Sequence, residues 1–508
     1  MKKSPHPRRK NRFTAGHFAA IVGIVTAVAV SSSNGKAAAW TETPCNFGAE
    51  LPAAVGHTLS CGTIEVPAKH SEPQGKKYQL HFALYKSTSE HRKADPIIVL
   101  NGGPGQKTAS IAPLANYLVA AIAPERDLVL FDQRGVGAFQ PSLDCPQAMD
   151  RLRGMALNTI HEQTETMIKE LNVCFDDLEK QGVDLGTFNT VESADDVADL
   201  ARALSDEKVN LYGVSYGSRL AQEVMRRHPE VLRSVLLDAV VSTDVNYMQN
   251  REGTVDAAFR KSLSRCAQDE ACNAVFPNLL ERIEQLADRL DQNPIKVQVP
   301  DMATGSMKEV AVTSEILGGG LMIGLYSTQL VPVLPALIDD LDRGNTESLS
   351  MLVQSVQMLT GTSSLGMQVS FACNDLISYA RPEDLQTEHP LKLVRASFGD
   401  VLNAYSEICA ARTWNPIPAE TRQVVKSDVP TLLFSGELDP VTPPHYAQQV
   451  LTGLSHAQLI QFPAGAHGEV SMMPGGCADG LVVDFFNDPS SKLEASCASV
   501  LQPYVLKL

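Results

Sequence analysis

The stretch Val209-Asn-Leu-Tyr-Gly213-Val-Ser215-Tyr-Gly217-Ser-Arg-Leu-Ala-Gln-Glu-Val-Met225 decides the reading of the fold. An apolar run leads into Gly-x-Ser-x-Gly, and a helix-patterned segment follows. In that order the glycines allow a sharp strand-to-helix turn that lifts a serine hydroxyl clear of the backbone. A glycine-rich turn without chemistry would not need both flanks, so Ser215 is the candidate nucleophile.

Moving outward, further short apolar runs appear at Ile97 to Leu100, Leu128 to Phe131, Val235 to Leu237 and Thr431 to Phe434. Helical patterns such as Ser193 to Leu204 and Arg219 to Arg227 separate some of them. Unbroken apolar strands between helices are what a parallel sheet covered on both faces requires, which makes this an α/β chain. Ahead of them, Gly62 to Val66 and Tyr78 to Tyr85 read as a hairpin about the polar turn Glu72 to Lys77. From about Ser242 to Ser427 the pattern is mostly helical (Ala257–Cys266, Leu279–Leu290, Leu330–Leu341), with no clear sheet run. An insertion there predicts a cap over the C-terminal edge of the sheet, where such folds bind ligands. The expected division is a sheet core in residues 40–241 and 428–508, with the cap in 242–427.

A serine at its free pKa needs a base, and the base needs an orienting carboxylate. Behind an elbow of this kind the chain order is Ser, acid, His. Thr431-Leu-Leu-Phe-Ser-Gly436-Glu-Leu-Asp439-Pro440 is a strand running into a loop with two carboxylates. Asp439 is preferred, Glu437 is second, and Asp238 at the end of the preceding apolar run is third. Of the three histidines that follow, His445 sits too close and begins a helix, and His456 precedes the strand Gln458 to Phe462. His467, just after that strand, is the candidate base. The oxyanion needs two backbone donors. The amide after the nucleophile, at Tyr216, is one; Gly103, in the loop Asn101-Gly-Gly-Pro-Gly105, is the other.

The 508 residues carry a net charge of −15, an acidic balance that disfavours binding to nucleic acid phosphates. Lys2, Lys3, Arg8, Arg9, Lys10 and Arg12 precede an apolar stretch, Phe18 to Val30, and Ala37-Ala-Ala39 follows. That order reads as a cleavable export signal over residues 1–39. The apolar stretch would rise only about 20 Å as a helix, too short for a bilayer. Removing the signal takes the mature chain to −22 and leaves no apolar run of spanning length, so an exported periplasmic or extracellular protein is expected. Its 10 cysteines are then read as disulfides, neighbour pairing being the simplest guess: 45–61, 145–174, 266–272, 373–409 and 477–497. No C-x-x-C or H-E-x-x-H spacing suggests a metal, and no cofactor is called for.

Asn101-Gly-Gly-Pro-Gly105, Asp132-Gln-Arg-Gly-Val-Gly137, Gly213-Val-Ser-Tyr-Gly217 and Gly436-Glu-Leu-Asp-Pro-Val-Thr-Pro443 together resemble the prolyl and tripeptidyl aminopeptidase branch of the α/β-hydrolases. Cys373-Asn-Asp375 and Cys409-Ala-Ala-Arg-Thr-Trp414 resemble the cysteine-bearing C-terminal region of the tripeptidyl group. Asn101 stands where the family usually has a histidine, and Gln106-Lys-Thr replaces its common glycine-serine run. The resemblance implies a mostly parallel eight-stranded sheet, a large helical cap and a metal-free serine mechanism releasing residues from a free peptide N-terminus. Arg134 could brace the oxyanion loop or contact substrate, bracing being favoured. An aminopeptidase also needs a carboxylate for the substrate's ammonium, for which Asp375, Glu407 and Glu437 are eligible. A carboxylic-ester hydrolase on the same scaffold and a catalytically inactive binding protein are the competing readings.

Overall fold

In the computed structural model, described here for residues 40–155, 159–300, 306–359, 363–380, 389–398, 401–470 and 476–507, the apolar runs become the middle of one sheet. The expected export signal, 1–39, lies outside the described residues. Strands β4 (Ile97–Leu100) and β5 (Leu128–Phe131) are buried at every position. Their side chains alternate between two apolar clusters: Ile98, Leu100, Val129 and Phe131 enter one, and Ile97, Val99, Leu128 and Leu130 the other. Helices Thr190–Leu204 and Tyr216–Arg227 cover the first face, and Ala115–Ile122 with Cys477–Asn487 the second.

The remaining strands are β1 (Thr41–Thr43), β2 (His57–Pro67), β3 (Lys77–Ser87), β6 (Val209–Val214), β7 (Leu232–Asp238), β10 (Thr431–Gly436) and β11 (Ala457–Phe462), with β8 (Ile295–Pro300) and β9 (Met307–Val312) lying in the insertion. The sheet order is β1-β2-β3-β5-β4-β6-β7-β10-β11. β2 and β3 form the expected antiparallel hairpin, and every pairing from β5 to β11 is parallel. The sheet has nine strands, the implied eight plus a short edge strand, β1, that pairs with Cys61–Thr63. The Trp40 and Phe82 rings meet edge-to-face with centroids 5.3 Å apart, and the Cys45–Cys61 disulfide closes the same corner.

The insertion is not purely helical. β8 (Ile295–Pro300) and β9 (Met307–Val312) make a separate antiparallel hairpin, which corrects the expectation that no strand lies there. Val297, Val299, Val310 and Val312 point inward from it, into a third apolar cluster that includes Phe259, Leu263, Leu317 and Leu321. Leu438 and Ala466, from the loops at the strand ends, enter that cluster too. The later part of the insertion behaves differently: Met367, Phe371, Tyr405 and Ile408 pack into the cluster on the sheet face. All five disulfides join neighbouring cysteines, as the pairing guess had them. Among the described residues no helix is long and apolar enough to cross a membrane.

Candidate active site

Ser215 stands between β6 and helix Tyr216–Arg227 with φ 56° and ψ −123°. A positive φ at a residue with a side chain is strained, by about 1–3 kcal/mol, and persists only where its surroundings fix it. They do. The Ser215 amide donates to the Asp238 carbonyl at 3.0 Å, and the Ser218 hydroxyl donates to the Ser215 carbonyl at 2.6 Å while accepting from the Val241 amide at 2.9 Å. A Cβ at Gly217 would overlap the Leu100 carbonyl, so only glycine lets the helix start this close to β4.

The loop after β4 lies against the serine: a Cβ at Gly102 would sit 3.0 Å from the Ser215 Cβ. Gly103 follows at φ 109°. Asp132 and Gln133 hold this loop from behind. The buried Asp132 carboxylate accepts from the Thr108 and Ala138 amides, each at 2.7 Å, and Gln133 Nε2 donates to the Asn101 carbonyl at 2.9 Å. Burial pushes the Asp132 carboxyl up to about 6, against the pull of those backbone donors. From the front, the Ser364 amide of the insertion donates to the Gly105 carbonyl at 2.8 Å. Arg134 does brace, but elsewhere: fully buried, it forks onto Asp196 at 2.6 and 2.8 Å and donates to the Pro67 and Ala68 carbonyls. It thus ties the end of β2 to helix Thr190–Leu204 rather than to the oxyanion loop.

Asp439 and His467 meet. His467 Nδ1 lies 3.0 and 2.9 Å from the two carboxylate oxygens of Asp439. The same carboxylate accepts the Val441 and Thr442 amides at 2.8 Å each and the Thr442 hydroxyl. Burial alone would push the imidazole down, but the Asp439 charge and hydrogen bond, with the Asp238 charge, leave it above its ordinary value. The insertion helps fix the loop: the His467 amide donates to the Tyr326 carbonyl, the Ala466 amide donates to Thr328 Oγ1, and the Tyr326 ring stands edge-on to the imidazole at 4.8 Å.

The other candidates are engaged differently. Glu437 pairs with Lys261 and Arg265. Asp238 accepts the Glu469 and Val470 amides and the Tyr212 hydroxyl, so this one residue holds the Ser215 amide through its carbonyl and the His467 loop through its carboxylate. That tie was not legible in the sequence, because it joins strand ends far apart in the chain. His445 opens the helix Pro444–Leu451, and His456 bonds the Asp428 carbonyl. Glu407 is exposed. Asp375 is buried, accepts the Thr190 amide at 3.2 Å on one oxygen and has no partner on the other; burial pushes it up to about 7. Nearby, Thr190 bonds the Tyr216 hydroxyl at 3.1 Å.

Away from this region, His70, Glu192 and Asp195 come close enough to hold a metal ion, but cations already hold the group. Asp195 binds Arg227 and His228. Burial opposes charge on His70, yet its hydrogen bonds to Asp199 and Glu192 raise it to about 9, so it is itself a cation at neutral pH.

Two family models match. Residues 95–295 fit the alpha/beta hydrolase fold and residues 395–497 fit the TAP-like protein family. The chain has the α/β-hydrolase fold. Its TAP-like match and its tripeptidyl aminopeptidase relative make it similar to the aminopeptidase-like branch of that fold. This α/β hydrolase is 21% identical over 471 residues to the putative hydrolase YuaR of Escherichia coli K12, covering 86% of this chain and 88% of that one. It is 26% identical over 330 residues to serine protease Hip1 of Mycobacterium tuberculosis H37Rv, covering 61% of each chain, a little under two thirds of that protein's length. With the tripeptidyl aminopeptidase of Streptomyces coelicolor it shares 25% identity over 195 residues, covering 36% of this chain and 35% of the other. The chain is a hydrolase with peptidases among its relatives.

Proposed function

We propose that this α/β hydrolase is an exported serine exopeptidase of the prolyl or tripeptidyl aminopeptidase type, removing short peptides from a free N-terminus. The observation that carries the reading is the Asp439–His467 couple, bound to the elbow of Ser215 through Asp238. In this reading Ser215 attacks the scissile carbonyl, His467 takes its proton, and Asp439 holds the imidazole tautomer and steadies the imidazolium. The amides of Gly103 and Tyr216 receive the oxyanion, and the braced loop of Asn101–Gly105 is what keeps such a donor preorganised. His467 then protonates the leaving amine and activates the water that resolves the acyl-enzyme. Peptide rather than ester substrates are favoured by the resemblance to the tripeptidyl aminopeptidase and to Hip1. Export is supported by five disulfides, which persist in oxidising compartments.

The test compares Ala-Pro-Ala-arylamide, free and N-acetylated, with the mature protein and its Ser215→Ala variant. Turnover of the free peptide alone, lost in the variant, is the expected result. Ser215-dependent cleavage of a simple aryl ester without amide cleavage would instead make the chain an esterase.

A further inference from the structure

One cation near the site has no anionic partner among the described residues. Arg251 lies in the first turns of helix Tyr247–Gln268 of the insertion, half-buried. Its guanidinium lies 5.2 Å from the Phe398 ring centroid, and its charge reaches Tyr326, the ring set against His467. The Arg251 charge reaches His467 and works against its protonation. Arg251 Nε is buried without a hydrogen-bond partner. Its acidic helix neighbours are committed elsewhere, Glu252 to Arg395 at 3.8 Å and Asp256 to Arg260 at 2.7 Å, and no described carboxylate forms an ion pair with it. Arg251 lines a cavity of about 270 Å³ together with Met248, Gln249, Glu252, Phe398 and Leu402.

An unpaired guanidinium that is partly desolvated is costly to keep. In a chain with 58 acidic and 43 basic residues, a carboxylate to neutralise it would be easy to supply. The N-terminal end of a 22-residue helix adds further positive potential at the same place. All of this suits an anion that arrives with the substrate. Because His467 hands its proton to the leaving amine in the proposed mechanism, groups next to His467 and Tyr326 border the leaving segment.

We propose that Arg251 binds a carboxylate on the substrate's leaving segment, so that the preferred substrates are short peptides with a free C-terminus, or with an acidic residue, just beyond the cleaved bond. The proposal rests on the peptidase reading. A charge-assisted hydrogen bond to a carboxylate should give about 10- to 100-fold in kcat/KM, chiefly through KM.

The experiment measures cleavage of Ala-Pro-Ala-Ala as free acid and as amide, and of Ala-Pro-Ala-Glu-amide against Ala-Pro-Ala-Gln-amide, with products identified by mass spectrometry. The first pair reports a C-terminal carboxylate and the second a side-chain one. We expect at least one pair to differ about tenfold or more, the ratio to fall to about one in Arg251→Met, and Arg251→Lys to be intermediate. A ratio near one in the unaltered protein, or one that survives in Arg251→Met, overturns the proposal while leaving the peptidase reading intact. Should Arg251→Met not fold, the Lys variant decides alone, an undiminished ratio counting against the assignment. If no peptide is cleaved the peptidase reading fails, and fluorophosphonate labelling of Ser215 becomes the readout. Slowing by the free acid but not by its amide still supports the Arg251 site, and equal labelling rejects it.

Discussion

Asp439 and Asp238 end neighbouring strands of the sheet, and backbone amides and hydroxyls fill their carboxylates. In the insertion, Asp375 has a single backbone donor and a bare oxygen, and Arg251 forms no ion pair among the described residues. The two regions also pack differently. The sheet buries strands at every position, whereas the insertion divides its apolar side chains between a cluster of its own and the face of the sheet. The difference separates two tasks. Groups that must keep one geometry sit at strand ends and are saturated by fixed donors; groups left wanting a partner sit in the segment that would meet a ligand.

The largest break in this contrast should come from the strand ends. Asp439→Asn should cut kcat on the arylamide by about 10⁴-fold while circular dichroism stays native, because the wrong tautomer of His467 would be held. Next is the sheet's own ion pair: Arg134→Met would leave the buried Asp196 with only His70, at 3.6 Å, as a cationic partner and should cost up to about 3–5 kcal/mol in urea unfolding. The insertion should respond with the opposite sign. The folded-state pKa of Asp375 lies above its unfolded value, so the folded chain holds that proton longer and stability falls as pH rises from about 4 to about 7. Asp375→Asn should therefore raise stability at pH 8 by about 1–3 kcal/mol, read as a higher Tm, and do little at pH 4. An unchanged difference across that range would mean that the carboxyl is not held neutral.

The smallest effect tests the tie between the two loops. Only neutral His467 can act as a base, so kcat/KM should rise with pH through a midpoint above the ordinary histidine value. Asp238→Asn keeps an acceptor for the Glu469 and Val470 amides but removes a charge that raises His467. The midpoint should move to lower pH by about half a unit to one unit. A merely structural role for Asp238 would lower the rate and leave the midpoint where it was.

Much of this arrangement was legible because short apolar runs can bury both faces only in a sheet, and because an elbow, a strand-end acid and a later histidine come in a fixed order. Ser215, Asp439 and His467 each lie at such a strand end. β1 escaped notice because a three-residue strand has no period to read. The β8–β9 hairpin did carry a signal, the alternation Ile295, Val297, Val299, but it was submerged in a helical stretch. Arg134 was read correctly as a brace and attached to the wrong loop, since its partner Asp196 lies on a helix that spacing does not bring near. Arg251 had no signal at all: an arginine near a helix start looks like any solvated one until its described surroundings can be seen.

The disulfides have a consequence for the order of events during synthesis and transport. Each joins a cysteine to the next one along the chain, the widest pair being Cys373 and Cys409, 36 residues apart. A chain threaded through an export channel from its N-terminus presents these thiols two at a time, each set complete before the next arrives. Oxidation in the order of delivery therefore yields the native set directly, with no exchange step to correct it.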